Sequence, residues 1–344
     1  MLKVYTYEQH EQWDSIVRSF VDYDVYWLSG YVNAFRIHGD GEPLLISYDD
    51  GSTRGINVAM KRDIAKDRHF KGILEEGVYY DLSSPYGYGG WIIEGEDKAN
   101  LFKAYADWIS RNKIVSEFVR FHPMIKNQVS CYAFYDVIQL GEVVHMDLSS
   151  PEAIWSNITS KNRNMIRKAV KNGVKIYNGR FPEIYERFRN IYNGTMKKDE
   201  ADSYYFFGKE FYKSILEDLS GNAQVFWAEK DGQTISSAIM LAANGKMSYH
   251  LSGSLREFNS FAPTNLLLYK AALWGCMNGC SFFYLGGGVG SEEDSLFKFK
   301  RSFYKGDLNH FFIGKKIYDH AKYDMLTGMR EDINNHGFFP VYRG

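Results

Sequence analysis

Cysteine is scarce in this chain: Cys131, Cys276 and Cys280 are the only three among 344 residues, and no histidine neighbours the last two. An odd, sparse set of thiols excludes a disulfide framework and a zinc signature; it fits buried thiols in a reducing compartment. Long hydrophobic runs are also missing, since no stretch of about 20 apolar residues spans a bilayer. The opening residues MLKVYTYEQHEQWD carry neither a basic n-region nor an apolar h-region. A cytoplasmic location is expected. Net charge is the third absence: 41 Lys+Arg against 42 Asp+Glu leave −1, so no whole-chain positive field is available to hold nucleic acid. What is present is core: 45% hydrophobic and 24% charged residues over 344 positions are enough for about two globular domains. Aromatics reach 17%, which suits sugar stacking and large cores equally.

The first half holds an apolar run at 44–48 and its return at 56–60, joined across Asp50-Gly51, a strong hairpin signal. Asp81-Leu82-Ser83-Ser84-Pro85-Tyr86-Gly87-Tyr88-Gly89-Gly90 reads as an irregular loop punctuated by proline and glycine. A helical period covers 97–112 and a β-rich run 115–123. The second half replays the order. Runs at 224–229, 234–242 and 246–252, joined at Asp231-Gly232 and Asn244-Gly245, predict an antiparallel meander. Pro263 opens a helix that Asn278-Gly279 closes, and 282–285 follows as a short buried strand. Hairpin or meander, then helix, then strand, twice over, predicts a duplicated α+β domain.

Between the halves, Ser150 as N-cap, Pro151 at the first helical position and Asn172-Gly173 as a stop predict one helix over about 151–172. Lys161, Arg163, Arg167, Lys168, Lys171 and Lys175 supply six cations with no acid between 153 and 182. Arg163, Arg167 and Lys171 are four apart and share a face. A solvated basic face is the plain alternative to a polyanion site such as one for a diphosphate or a tRNA backbone. The other dense segment runs from Leu285 through Gly286-Gly287-Gly288-Val289-Gly290 to Ser291, three acids, and Phe299-Lys300-Arg301-Ser302-Phe303. A glycine run after a strand lets a ligand approach the backbone, yet this one is neither a Walker loop nor a dinucleotide fingerprint. Its plain reading is a strand-to-helix turn capped by Ser291.

Ser160 to Ala169 with Gly173-Val174, the glycine run with Phe299-Lys300, and the Asp81 to Gly90 loop together resemble the Fem-type peptidoglycan aminoacyltransferases. They are also similar to the acetyltransferase-like proteins of surface-polysaccharide clusters. The resemblance implies an α+β architecture of two tandem GNAT-like domains with mixed central sheets flanked by helices: 1–148, 149–316, and a tail 317–344 packing back on the first. It implies acyl transfer to an amine, with Lys300 beside the transferred carbonyl. Lys161, Arg163, Arg167, Tyr86, Tyr88 and Arg301 are then expected to bind substrate. Tyr249 and Tyr284, on predicted strands, are the candidates to return a proton to the leaving group, with core packing as their plain alternative. His250 reads as a half-buried structural histidine.

Two family features are missing: the long helical-hairpin insertion, and a GNAT pyrophosphate loop in Ser254 to Thr264. A helix start at Pro263, with Thr264 and Asn265, is the remaining candidate for a pyrophosphate. The expected donor is acetyl-CoA or another acyl-CoA, with aminoacyl-tRNA as the alternative and no metal. The expected acceptor is a nucleotide-sugar or a lipid-linked glycan or peptide precursor, with peripheral membrane contact and no transmembrane segment. A non-catalytic precursor-binding or scaffold protein is the third class.

Overall fold

The computed structural model describes residues 1–330 and 337–344; part of the expected tail, residues 331–336, lies outside the described residues. The chain forms two compact units, Met1–Leu140 with Phe311–Gly344, and Gly141–His310. These limits differ by a few residues from the 148/149 and 316/317 expected above.

In the first unit β1 (Leu2–Tyr5) is followed by α1 (His10–Arg18) and α2 (Ser29–His38). The hairpin β2 (Glu42–Asp49) and β3 (Arg54–Asp63) comes next. The hairpin closes as expected at Asp50, whose carboxylate accepts from the backbone N–H groups of Ser52 and Thr53 at 3.0 and 2.8 Å. β4 (Tyr80–Ser83), β5 (Ile92–Glu94), α3 (Ala99–Arg111) and β6 (Ile114–Arg120) follow. The strand order is β1-β2-β3-β4-β6, with β5 on β3 and β4 parallel to β6. Leu44, Ile46, Leu82, Trp91, Leu101, Tyr105 and Phe121 form the core. Fully buried Glu117 on β6 accepts from the hydroxyls of Tyr105, Tyr135 and Tyr318 and the amide of Asn57. Burial pushes its carboxyl up, and these donors oppose the rise only in part.

The second unit takes up the latter half of β7 (Asp136–Asp147), then α4 (Pro151–Asn157) and α5 (Ser160–Lys171). The single helix expected over 151–172 is therefore two. Ser150 caps the first as predicted, but Ile158 and Thr159 are extended, and Thr159 Oγ1 caps the second through the N–H of Asn162. β8 (Lys175–Gly179), α6 (Pro182–Lys198) and α7 (Lys209–Asp218) lead into the predicted meander β9 (Ala223–Lys230), β10 (Gln233–Ala243) and β11 (Lys246–Ser254). α8 (Pro263–Met277), β12 (Phe282–Gly286) and α9 (Ser295–Arg301) complete the unit, with strand order β7-β12-β11-β10-β9-β8. α8 is apolar around its circumference because it is buried, packing with Met146, Ile166, Phe226, Met247 and Phe283. The first unit is then completed by β13 (Asn309–Ile317), antiparallel to β6, and α10 (His320–Gly328).

Candidate active site

The site is built where two strands part. β11 and β12 run parallel and pair at Lys246/Phe282, Met247/Phe283 and Ser248/Tyr284. Beyond that point β11 continues to Ser254, with His250 the extra residue of a bulge, while β12 turns away at Gly286 with φ of +82°. The register sorts the side chains. Met247, Phe283 and Met146 are opposite one another and point into the α8 core. Ser248, Tyr284 and His145 form the adjacent row, which faces the other way. In that row Ser248 is fully buried with no hydrogen-bond partner for its Oγ among the described residues, and Tyr284 is buried. The His145 ring stacks obliquely on Tyr304, centroids 4.6 Å apart.

Lys300 enters this face from α9. That helix is capped by Asp294, whose Oδ1 accepts from the Phe297 N–H at 2.8 Å, so the cap is Asp294 and not the expected Ser291. The Lys300 side chain is 9% exposed and its Nζ donates to the Gly287 carbonyl at 2.7 Å. A Cβ on Gly286 would be 3.3 Å from that Nζ and 3.9 Å from Tyr284 Cε1, so the ammonium and the phenol ring flank the bare Cα of one glycine. Burial pulls the Lys300 amine down to about 8, against the partial opposition of Asp294. A cation stripped of water beside a glycine backbone is equipped to stabilise a developing oxyanion.

The other expected residues divide. Tyr249 and Tyr284 do not act side by side: Tyr249 packs on the α8 core, on the opposite face of β11, and burial pushes its hydroxyl up to about 12. His250 at the bulge is pushed by burial down to about 3, which leaves it neutral. Arg163 is half-buried, and its guanidinium donates to the carbonyls of Trp155, at 3.3 Å, and Ile158, at 3.0 Å, closing the end of α4. Arg167 hydrogen-bonds Asn164 at 3.0 Å and lies over the Trp155 ring at 5.3 Å. Arg301 donates to the carbonyls of Tyr304, Lys305 and Gly306 and folds the turn after α9. Lys161 is exposed.

In the first unit Tyr88 is buried, edge-on to Tyr26, His122 and Phe311 with centroids 5.2, 5.1 and 5.8 Å away. Tyr86 stacks on Phe35 at 5.5 Å and its carbonyl accepts from the Tyr31 hydroxyl. At the start of α8 the polar side chains are engaged within the unit. Pro263 supplies no N–H, Thr264 Oγ1 pairs with Ser236 Oγ at 3.2 Å, and Asn265 Nδ2 donates to Asn162 Oδ1 at 2.8 Å. These bonds use the side chains of Thr264 and Asn265; the backbone N–H groups, which are what a helix start offers to a pyrophosphate, are separate donors. His145 and Ser248 were not legible as site residues, because only the strand register brings them beside Tyr284.

Residues 160–301 match the family model described as an acetyltransferase (GNAT) domain. The second unit therefore carries a GNAT-type acetyltransferase domain. Among solved structures it is similar to FemX, at 14% identity and TM-score 0.68, with 94% of this chain and 99% of that one covered. A conserved protein of unknown function from Bacteroides thetaiotaomicron VPI-5482 matches at 12% identity and TM-score 0.59, over 92% and 99% of the two chains. The L-PGS structure from Bacillus licheniformis matches at 13% identity and TM-score 0.52, over 88% and 95%. These likenesses show the fold. No curated protein matches the chain. Among the described residues no helix is long and apolar enough to cross a membrane.

Proposed function

We propose that the protein is a cytoplasmic N-acyltransferase acting on an amine of an anionic cell-wall or surface-glycan precursor, either a nucleotide-sugar or a lipid-linked glycan or peptide. The observation that carries this reading is the desolvated Lys300 ammonium against the glycine run, on one face with Tyr284 and His145. In the reaction the acceptor nitrogen forms a bond to the activated carbonyl carbon, and the Lys300 ammonium stabilises the oxyanion. The amine proton passes to the His145 imidazole. As the carbonyl re-forms, the bond to the leaving group breaks and the Tyr284 hydroxyl returns a proton to it, regaining one from His145.

An acyl-CoA donor asks less basic surface than aminoacyl-tRNA, which favours the thioester; the backbone N–H groups of Thr264 and Asn265 at the start of α8 are the candidates to hold its pyrophosphate. Calorimetry of the purified protein with acetyl-CoA and with charged tRNA tests the order. Tight tRNA binding without coenzyme A binding makes the protein an aminoacyltransferase of peptidoglycan cross-bridge type. Binding of precursor with no turnover by wild type on either donor supports the scaffold reading.

A further inference from the structure

We propose that the exposed face of α5 is a docking surface for an anionic lipid bilayer. Lys161, Asn164, Arg167, Lys168 and Lys171 are all exposed. At 100° per residue they fall within an arc of about 120°, along about 15 Å of helix. None of these four cations takes part in an ion pair among the described residues, and the chain holds no acid from 153 to 182. Lys175 extends the charge onto β8, although it stands opposite Glu229 in the register, so the four on α5 carry the argument. Val170, 58% exposed, lies about 60° outside this arc, beyond Arg167, and is not part of the face.

The shape decides among the anions that such charge attracts. Free phosphate or a diphosphate needs donors converging from several sides, and Arg163, the one guanidinium on the inner flank, is already spent on the end of α4. A convex face of separate exposed lysines lets a small anion meet one or two of them at a time. A tRNA surface engages about 6–10 phosphates in a salt-sensitive footprint, more than α5 offers. A planar sheet of anionic headgroups meets all four cations at once, and 4–8 clustered Lys/Arg residues are the size of patch that such a surface recognises. The inference stands apart from the catalytic reading, since it needs no turnover.

The test is sedimentation of the full chain with vesicles of pure phosphatidylcholine and with vesicles containing 40% phosphatidylglycerol. Binding is expected to the second only, and to be lost in 0.5 M NaCl. The triple variant Lys161→Glu, Lys168→Glu, Lys171→Glu should lower the partition coefficient at least a hundredfold, at about fivefold or more for each charge removed and again for each added. A control triple at exposed lysines of the same unit, Lys197→Glu, Lys209→Glu, Lys213→Glu, should stay within a few-fold. Wild type that ignores phosphatidylglycerol, or an equal loss in the control triple, overturns the proposal. Uncharged tRNA bound through α5 with no vesicle binding also overturns it, in favour of RNA. Loss of turnover at Lys300 with vesicle binding intact separates the two readings.

Discussion

Two glycine-rich loops follow strands in this chain, one in each unit, and they have been put to opposite uses. In the first unit the loop from Ser84 to Gly90 is tied down from every side. Arg120 donates to the Gly87 carbonyl at 3.0 Å, and Asn127 donates to the carbonyls of Gly89 and Trp91 at 2.9 and 3.2 Å. Its root, Asp81, is fully buried and accepts from Arg62 at 2.7 Å, Arg343 at 2.6 Å and Tyr342 at 2.9 Å. Burial alone pushes Asp81 up, but the two guanidiniums outweigh it and hold the carboxyl below the usual carboxylate range. In the second unit the loop from Gly286 to Gly290 covers one buried amine that donates to the Gly287 carbonyl and whose burial is opposed by the Asp294 carboxylate. A charge surrounded by counter-charges is architecture. A charge held out of water with little compensation costs the fold stability, and such a cost is characteristic of a site that acts on a substrate.

The comparison breaks most violently at Asp81. Asp81→Asn leaves Arg62 and Arg343 facing a neutral amide in a buried site, and about 3–5 kcal/mol of stability should be lost at pH 7. Because the folded carboxyl is held low, its contribution is present above the ordinary carboxylate range and disappears as pH falls through the folded value. Urea titrations from pH 7 to 3 should therefore show wild type losing stability more steeply with acid than the variant. Parallel slopes would mean that the Asp81 cluster is not what anchors the loop.

At Lys300 the opposite pattern is expected. Lys300→Met should cut turnover by about 10²-fold or more, the scale of losing one oxyanion donor, while raising the melting temperature. The sign follows from proton counting: the folded amine releases its proton near pH 8, whereas the unfolded one keeps it to the ordinary lysine value of 10.5. The unfolded chain binds more protons between those limits, so wild-type stability should rise with pH across them and the methionine variant should lack that rise. A methionine variant less stable than wild type would make Lys300 a structural residue like Asp81.

Much of the frame was legible in the chain. Asp50-Gly51, Asp231-Gly232, Asn244-Gly245 and Pro263 all mark the turns and the helix start that form, because local backbone preference decides them. The break at Ile158-Thr159 was hidden by a continuous apolar stripe, and it shows only because Arg163 closes α4 while Thr159 caps α5. Lys300 was found beside its glycines because they are close in sequence. His145 lies more than a hundred residues from its cross-strand neighbours Tyr284 and, one strand further, Ser248; no local pattern records a register between distant strands. The bulge at His250 was equally silent, and so was the pairing of Ser248 with Tyr284, which puts Tyr249 on the opposite face although the two tyrosines look equivalent in the sequence.

That inequivalence supplies the smallest and sharpest test within the second loop. Tyr284 borders the space above Gly286 that Lys300 also borders, whereas the Tyr249 side chain packs among Met247 and Phe283 on the far face. Removing one hydroxyl without changing the ring keeps the packing and deletes only the proton. Tyr284→Phe should lower turnover about a hundredfold, the low end for a positioned proton donor, with an unchanged melting temperature. Tyr249→Phe should stay within two- to threefold of wild type, since its hydroxyl, pushed up to about 12 by burial, holds its proton on a face that the amine and carbonyl do not share. The measurement is kcat for both variants on one donor and acceptor pair, beside thermal unfolding. Equal losses at the two tyrosines would place the reacting groups on both faces of β11 and remove the face assignment on which Lys300, His145 and Tyr284 are grouped.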